Sequence, residues 1–246
     1  DGIRDAQESR GLGDVYKRQS IHRVYQEAEA MHASVIELAQ ATAASAVGAL
    51  LEQPGGLTVF NSLSWPRTAL VALPAGMEDA VTATGEGLDR QEWGGQTYVE
   101  AEVPACGWTS LHAAPIKPAG APRNGLAATA NSLENECLRL LLNERGELTS
   151  IYDKQAGREL AAGACNAFRL YKDVPGWFDA WDIDSQYALT PVDLPEPASV
   201  EVIASGPLFA ALRVTRRLHH STLTQEVRLR RHSRRVDFVT TIDWQE

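Results

Sequence analysis

The 246-residue sequence is informative first for what it does without. Its three cysteines, Cys106, Cys137 and Cys165, are far apart and odd in number. No C-x-x-C pair exists, so neither a zinc ribbon nor a dithiol redox centre is indicated. They read as reduced, partly buried small hydrophobes, a usage that points to the cytoplasm. No uninterrupted apolar run approaches the roughly 18 residues a membrane helix needs, and no membrane partner is expected. G-x-S-x-G, H-E-x-x-H and the Walker loop are absent, and with them the usual signals of serine hydrolases, zincins and nucleotide-binding proteins. A glycine-rich phosphate loop and a βαβ rhythm are missing as well.

Acid outweighs base, with a formal net charge of −9, which argues against nucleic acid as the main partner. One local exception runs the other way. Arg213, Arg216, Arg217, Arg228, Arg230, Arg231, Arg234 and Arg235 fall in one short stretch against a single acid, Glu226. Binding of single-stranded nucleic acid would add stacking aromatics to such a patch. Between Arg213 and Arg235 there is no Phe, Tyr or Trp. The stretch therefore reads as the polar face of an exposed sheet, paired with carboxylates elsewhere. His219-His220 reads as a solvated strand edge rather than a metal site, because neighbours on a strand point to opposite faces.

Residues 1–19 show no helical or strand period and resemble a translated non-native scar, so native sequence is expected to start near Ser20. From Ser20 to Leu51 the pattern is helical. Ile21, Val24, Tyr25, Ala28, Met31, His32 and Val35 share one face, Ser20 is a plausible N-cap, and Pro54-Gly55-Gly56 ends the run. One amphipathic helix cannot cover its own apolar stripe, which suggests the end of a truncated helical bundle.

Beyond Gly56 the pattern changes to short alternating runs. Leu57–Phe60, Thr68–Leu73 and Tyr98–Val103 read as strands, and the Pro- and Gly-rich residues 113–130 read as a linker or long loop. Cys137–Leu142 and Leu148–Tyr152 form a predicted hairpin around Asn143–Gly146. Val200–Ile203, Phe209–Arg217, Thr222–Arg231 and Arg235–Trp244 complete the strand candidates. The expected class is mainly β, an antiparallel β-sandwich-like region preceded by a long α-helix. The expected layout is 1–19 scar, 20–52 end of a helical domain, 53–125 first β region and linker, and 126–246 C-terminal β domain.

The most unusual composition lies in residues 166–187. Trp177, Phe178, Trp181 and Tyr187 interleave there with Asp173, Asp179, Asp182 and Asp184. Aromatics beside carboxylates suit carbohydrate, since sugar faces stack on rings while hydroxyls donate to acceptor oxygens. Tryptophans plugging a sandwich and aspartates capping turns explain the same composition. Trp177, Asp179, Trp181 and Asp182 are the candidate substrate-binding residues.

Six segments, in order, resemble glycoside hydrolase family 38 α-mannosidases. Phe60-Asn61-Ser62-Leu63-Ser64-Trp65-Pro66-Arg67 is similar to the opening of that family's β region, and Val103–Trp108 to its V-P-A-x-G-aromatic segment. Leu133-Glu134-Asn135-Glu136 with Gly146, Ile151-Tyr152-Asp153-Lys154 and Gly157-Arg158-Glu159 resembles its hairpin. Asp173-Val174-Pro175 with Trp177 and Asp179–Asp184 is similar to a further motif, in a form that points to the bacterial and cytosolic-like branch. Gly206-Pro207-Leu208 and Ser233–Phe238 resemble its last strands.

This resemblance implies a retaining enzyme that removes terminal α-linked mannose. The family's aspartate nucleophile and its zinc, held by two His and two Asp, belong to an N-terminal barrel. No residue here matches them, so the expected catalytic and metal residues of this chain are none. The implied partners are an α-mannoside or oligosaccharide and the missing barrel of the same chain, with homo-oligomerisation left open. The alternative is a free-standing carbohydrate-binding β-sandwich.

Overall fold

A computed structural model describes residues 22–50, 56–115, 126–174 and 183–245. It divides into two compact units, one comprising the N-terminal segment with Leu170–Val192, the other Gly55–Arg169 with Asp193–Glu246. Ser20, the expected N-cap, lies outside the described residues.

In the smaller unit, α1 spans His22–Leu50 and has no buried residue; Met31, Val35 and Leu38 are all exposed. Its own surface supplies an Arg23–Glu27 pair one turn apart at 2.7 Å. The helix is long and apolar enough, by length and composition, to cross a membrane. No uninterrupted apolar run marks it, because alanines spread between polar residues carry the apolar average. Core helices pass the same test.

The larger unit is antiparallel throughout and has two β regions. The first contains β1 (Leu57–Asn61), β2 (Arg67–Ala72), β3 (Ala80–Thr82), β4 (Arg90–Trp93), β5 (Gln96–Val103) and β6 (Gly107–Ala113), paired as two three-stranded sheets in the orders β1-β6-β3 and β2-β5-β4. Alternation along β5 buries Val99, Ala101 and Val103, and the first two pack with Leu73, Ala80 and Leu111 into a small core.

The second region opens with β7 (Ala127–Thr129), β8 (Ser132–Glu134), β9 (Leu138–Leu142), β10 (Leu148–Asp153) and β11 (Arg158–Glu159). These form a meander in spatial order β11-β10-β9-β8-β7. The hairpin expected around Asn143–Gly146 is present as β9 and β10. The expected linker is shorter than its composition suggests, because Ala127–Thr129 pairs with Ser132–Glu134. Short strands of Ala and Thr give no apolar alternation to read.

In the smaller unit, β12 (Leu170–Tyr171) and β13 (Pro191–Val192) form a two-residue ladder. The larger unit ends in the sheet β14-β15-β16-β17, formed by Ser199–Ser205, Phe209–Leu218, Ser221–Arg230 and Val236–Asp243. All four strands fall where the alternation placed them, within a residue or two. β16 alternates without a break, with Ser221, Leu223, Gln225, Val227 and Leu229 buried. Leu133, Leu138, Leu140, Leu142 and Leu148 from the meander meet Leu212, Val214, Val227 and Leu229 in the main core. The observed class is the expected one: mainly antiparallel β with one N-terminal helix.

Two expectations need correction. His219 and His220 do not lie on a strand; they form the tight turn between β15 and β16, with His219 at φ +57° and the two rings 3.9 Å apart. Cys106 is not partly buried; it is exposed at the turn before β6, at φ +45°.

Candidate functional site

The four sequence-predicted residues, Trp177, Asp179, Trp181 and Asp182, lie outside the described residues. The chain on either side of them is built as a stem. Lys172 N donates to Thr190 O at 2.9 Å, and the Thr190 hydroxyl donates back to Lys172 O at 3.0 Å. The Tyr171 and Tyr187 rings meet edge-on at 5.1 Å. Asp184 accepts from Gln186 N at 2.9 Å, an aspartate-capped turn of the kind the composition allowed.

The segments that resembled a family mostly hold backbone in place. Asn135 is fully buried and uses both ends of its amide. Its Oδ1 accepts from Cys137 N at 2.8 Å and Leu138 N at 2.7 Å, while Nδ2 donates to Arg230 O and Ser233 O, each at 2.7 Å. It thus ties the β8–β9 turn to the end of β16. Asp153 accepts from Ala156 N at 2.9 Å, Gln155 N at 3.0 Å and the Arg234 guanidinium. Those donors, Ala156 N first, hold its carboxyl below the usual range. Glu159 accepts from Ser150 Oγ at 2.5 Å, Ile151 N at 2.6 Å, Ala161 N at 2.9 Å and Leu160 N at 3.0 Å. The Ser150 hydroxyl leads in pulling its pKa down to about 2.

The arginine-rich stretch is internal wiring. Arg231 reaches from the end of β16 to Asp89 and Glu100 of the first region, at 2.6 Å each. Burial opposes its charge, but bonds to Glu100 and Asp89 raise its pKa. Arg228 bonds Glu226 at 2.5 Å and lies over the Trp93 ring at 4.8 Å. Arg216 departs from the expected wet face altogether. It is buried, donates to Arg145 O at 2.9 Å, to Gln225 Oε1 at 3.2 Å and to Gly146 O, and covers the Phe168 ring. Burial lowers its pKa. A guanidinium can replace a missing strand partner for two main-chain carbonyl oxygens, which alternation alone does not reveal.

Sequence reasoning also missed Gln91. It accepts from Leu208 N at 2.9 Å and Phe209 N at 3.0 Å, and donates to Phe209 O at 3.0 Å. Gly206 leaves room for it: a Cβ there would stand 2.3 Å from Gln91 Cδ. Nothing in Arg90-Gln91-Glu92-Trp93 marks this glutamine beforehand.

The turns after β1 and before β6 carry exposed rings and border a cleft. Asn61, buried at the end of β1, donates to Trp65 O at 2.8 Å and Pro104 O at 2.9 Å and accepts from Leu63 N at 3.1 Å. Cys106 N donates to Leu63 O at 2.8 Å. These bonds fold the turns after β1 and before β6 against each other. Beside them is a cleft of about 420 Å³ lined by Pro66, Arg67, Thr68, Glu102, Val103 and Pro104. Phe60 and Trp108 are directly opposite in the β1–β6 ladder, with rings 5.7 Å apart, and both are exposed. Trp65 projects from the turn and is exposed too.

Among the described residues, no three His, Cys, Asp or Glu side chains converge to hold a metal ion. The zinc implied by the sequence resemblance therefore finds no fitting donor set among the described residues. What the described polar groups do is close turns and join two β regions.

Residues 133–246, which contain the Asn135 turn, the Arg216 network and the four-stranded sheet, match the glycosyl hydrolases family 38 C-terminal domain. The chain belongs to that family. It is 33% identical over 213 residues to "Alpha-mannosidase 2C1" of Mus musculus, covering 83% of this chain and 19% of that protein. To the Homo sapiens "Alpha-mannosidase 2C1" it is 31% identical over 217 residues, with 83% and 19% covered. "Alpha-mannosidase G" of Dictyostelium discoideum is 24% identical over 126 residues, covering 46% of this chain and 11% of that protein. The family 38 chain thus spans about a fifth of the length of the mouse and human relatives.

Proposed function

We propose that this chain is the C-terminal accessory part of a retaining α-mannosidase that hydrolyses terminal α-linked mannose in the cytoplasm. The carrying observation is the combination of extent and share: four-fifths of the chain aligns with α-mannosidases of which it spans 19%. The nucleophile, the acid/base and the zinc ligands belong to the barrel in the rest of the polypeptide. Retention needs a carboxylate pair roughly 5–5.5 Å apart. Residues 20–52 close a helical domain, 53–125 form the first β region and 126–246 the C-terminal β domain. In the intact enzyme these buttress the barrel, and Trp177, Asp179, Trp181 and Asp182 reach toward the sugar.

The chain by itself is expected to release no nitrophenol from a nitrophenyl α-mannoside, with or without added zinc; zinc-dependent turnover would refute this assignment. The substrate-binding role is tested by Asp182→Ala in an intact homologue grafted with residues 166–187. Unchanged catalytic efficiency at normal stability counts against it. A free-standing sugar-binding module predicts instead that residues 53–246 bind mannosides and lose binding on Trp181→Ala.

A further inference from the structure

Building on the reading of the chain as part of a longer α-mannosidase, we infer that the aromatic corner at Phe60, Trp65 and Trp108, with its cleft, is where the remainder of that polypeptide docks. The first support is apolar exposure. Phe60 is 41% exposed, Trp108 42% and Trp65 58%. A single exposed ring is ordinary, but two paired rings with a third on the adjoining turn have the composition of an interface anchor.

The second support is stiffness. Asn61 ties its own strand to Trp65 O and Pro104 O, and Cys106 N closes the corner on Leu63 O. A partner meeting this surface finds its anchors already positioned, so little ordering entropy opposes docking. The third is shape and charge. The cleft, whose lining starts at Pro66 next to Trp65, carries Arg67 and Glu102, one charge of each sign, at an exposed edge. A polar lining of mixed sign suits a protein surface better than a polyanion.

The opposite face of β1 and β6 is already closed on Leu111 and its neighbours, so the rings are available only to something outside this core. The occupant follows from length. The chain spans 19% of the relatives it aligns with, which leaves about four-fifths of such a polypeptide to be accommodated against it. The two segments that build the corner, Phe60–Arg67 and Val103–Trp108, are also among those that resemble the family.

The test grafts this chain into the mouse α-mannosidase 2C1 in place of the region it matches, and compares that chimera with Trp65→Ser/Trp108→Ser and with Phe238→Ser. Phe238 is a similarly exposed ring on another sheet. Nitrophenyl α-mannoside turnover and the rate of tryptic cleavage between the grafted and host parts are read together. The double variant is expected to be cleaved roughly tenfold faster and to lose activity in parallel, with Phe238→Ser unchanged. A double variant as resistant and active as the unsubstituted chimera overturns the docking inference alone. An unsubstituted chimera that neither assembles nor turns over overturns the accessory reading beneath it. Trp65→Ser alone, at a ring on an exposed turn, guards against misfolding and should show a smaller change in the same direction. If the free chain dimerises and the double variant makes it monomeric, the corner belongs to a second copy and the inference fails.

Discussion

The side-chain amide of Gln91 pairs with both main-chain polar groups of Phe209, donating to its carbonyl and accepting from its N–H, each at 3.0 Å. A glutamine thus acts as a strand neighbour across 118 positions of sequence. Around it Trp93 and Tyr98 meet the Phe209 ring edge-on at 5.7 and 5.8 Å, and Trp93 Nε1 donates to Ile203 O at 3.1 Å. Seam and sheet are therefore fixed together.

Removing this amide should be costly. Gln91→Ala takes the acceptor from the Leu208 and Phe209 N–H groups and leaves Phe209 O with the longer Gly206 N contact at 3.3 Å, at about 2–4 kcal/mol in total. Urea unfolding followed by tryptophan emission should show a lower midpoint. Gln91→Glu should be intermediate, since it keeps the acceptor and loses the donor.

Arg231 offers a second test of the seam. Replacing it by Met takes the nearest cation from Asp89 and from the nearly buried Glu100, which keeps the Arg230 guanidinium at 3.6 Å, and should destabilise by about 3 kcal/mol. Adding Glu100→Gln to Arg231→Met should restore part of that loss. A double-mutant cycle of unfolding free energies measures the coupling, and simple additivity would show that the pair acts independently.

Acid should expose the Glu159 turn. Its pKa is pulled from the ordinary 4.5 down to about 2, and that of Asp153 is lowered as well. A depressed folded pKa means that stability is fully present above the unfolded value and is lost as pH falls through the folded one. Unfolding midpoints should therefore decline from about pH 4.5 towards pH 2. Glu159→Gln should lower stability at neutral pH and flatten that decline.

Gly146 sits at φ +69°, where a Cβ would stand 2.3 Å from Val214 Cγ1. Gly146→Ala combines left-handed strain with overpacking and should cost about 2–4 kcal/mol. Gly157→Ala has a similar φ of +64° but open space, and should cost about 1 kcal/mol. Thermal unfolding of the two variants separates strain from collision.

Much of the β architecture was legible in particular residues. Val227 and Leu229 alternate with Arg228 and Arg230, and that period of two set both the strand and its buried face. Asn143–Gly146 announced its hairpin because a glycine near the end of a polar turn leaves the chain little else to do. The expectation of carboxylate partners holds for Arg231 and Arg228 and fails for Arg216. A buried guanidinium has the same local pattern as a wet one. Its fate depends on carbonyls at Arg145 and Gly146 that only folding brings near.

The sequence by itself determined the long alternating strands, the helix and the family, because periodicity and motif order are properties of neighbours along the chain. Tertiary structure decided what the motif residues are for. Asn135, Asp153 and Asn61 could have belonged to a site; folding places each where its polar atoms meet otherwise unpaired backbone groups. A buried N–H or carbonyl left without a partner is costly, and the partner that satisfies it can come from anywhere in the chain. That is why Gln91, with no motif around it, holds Phe209.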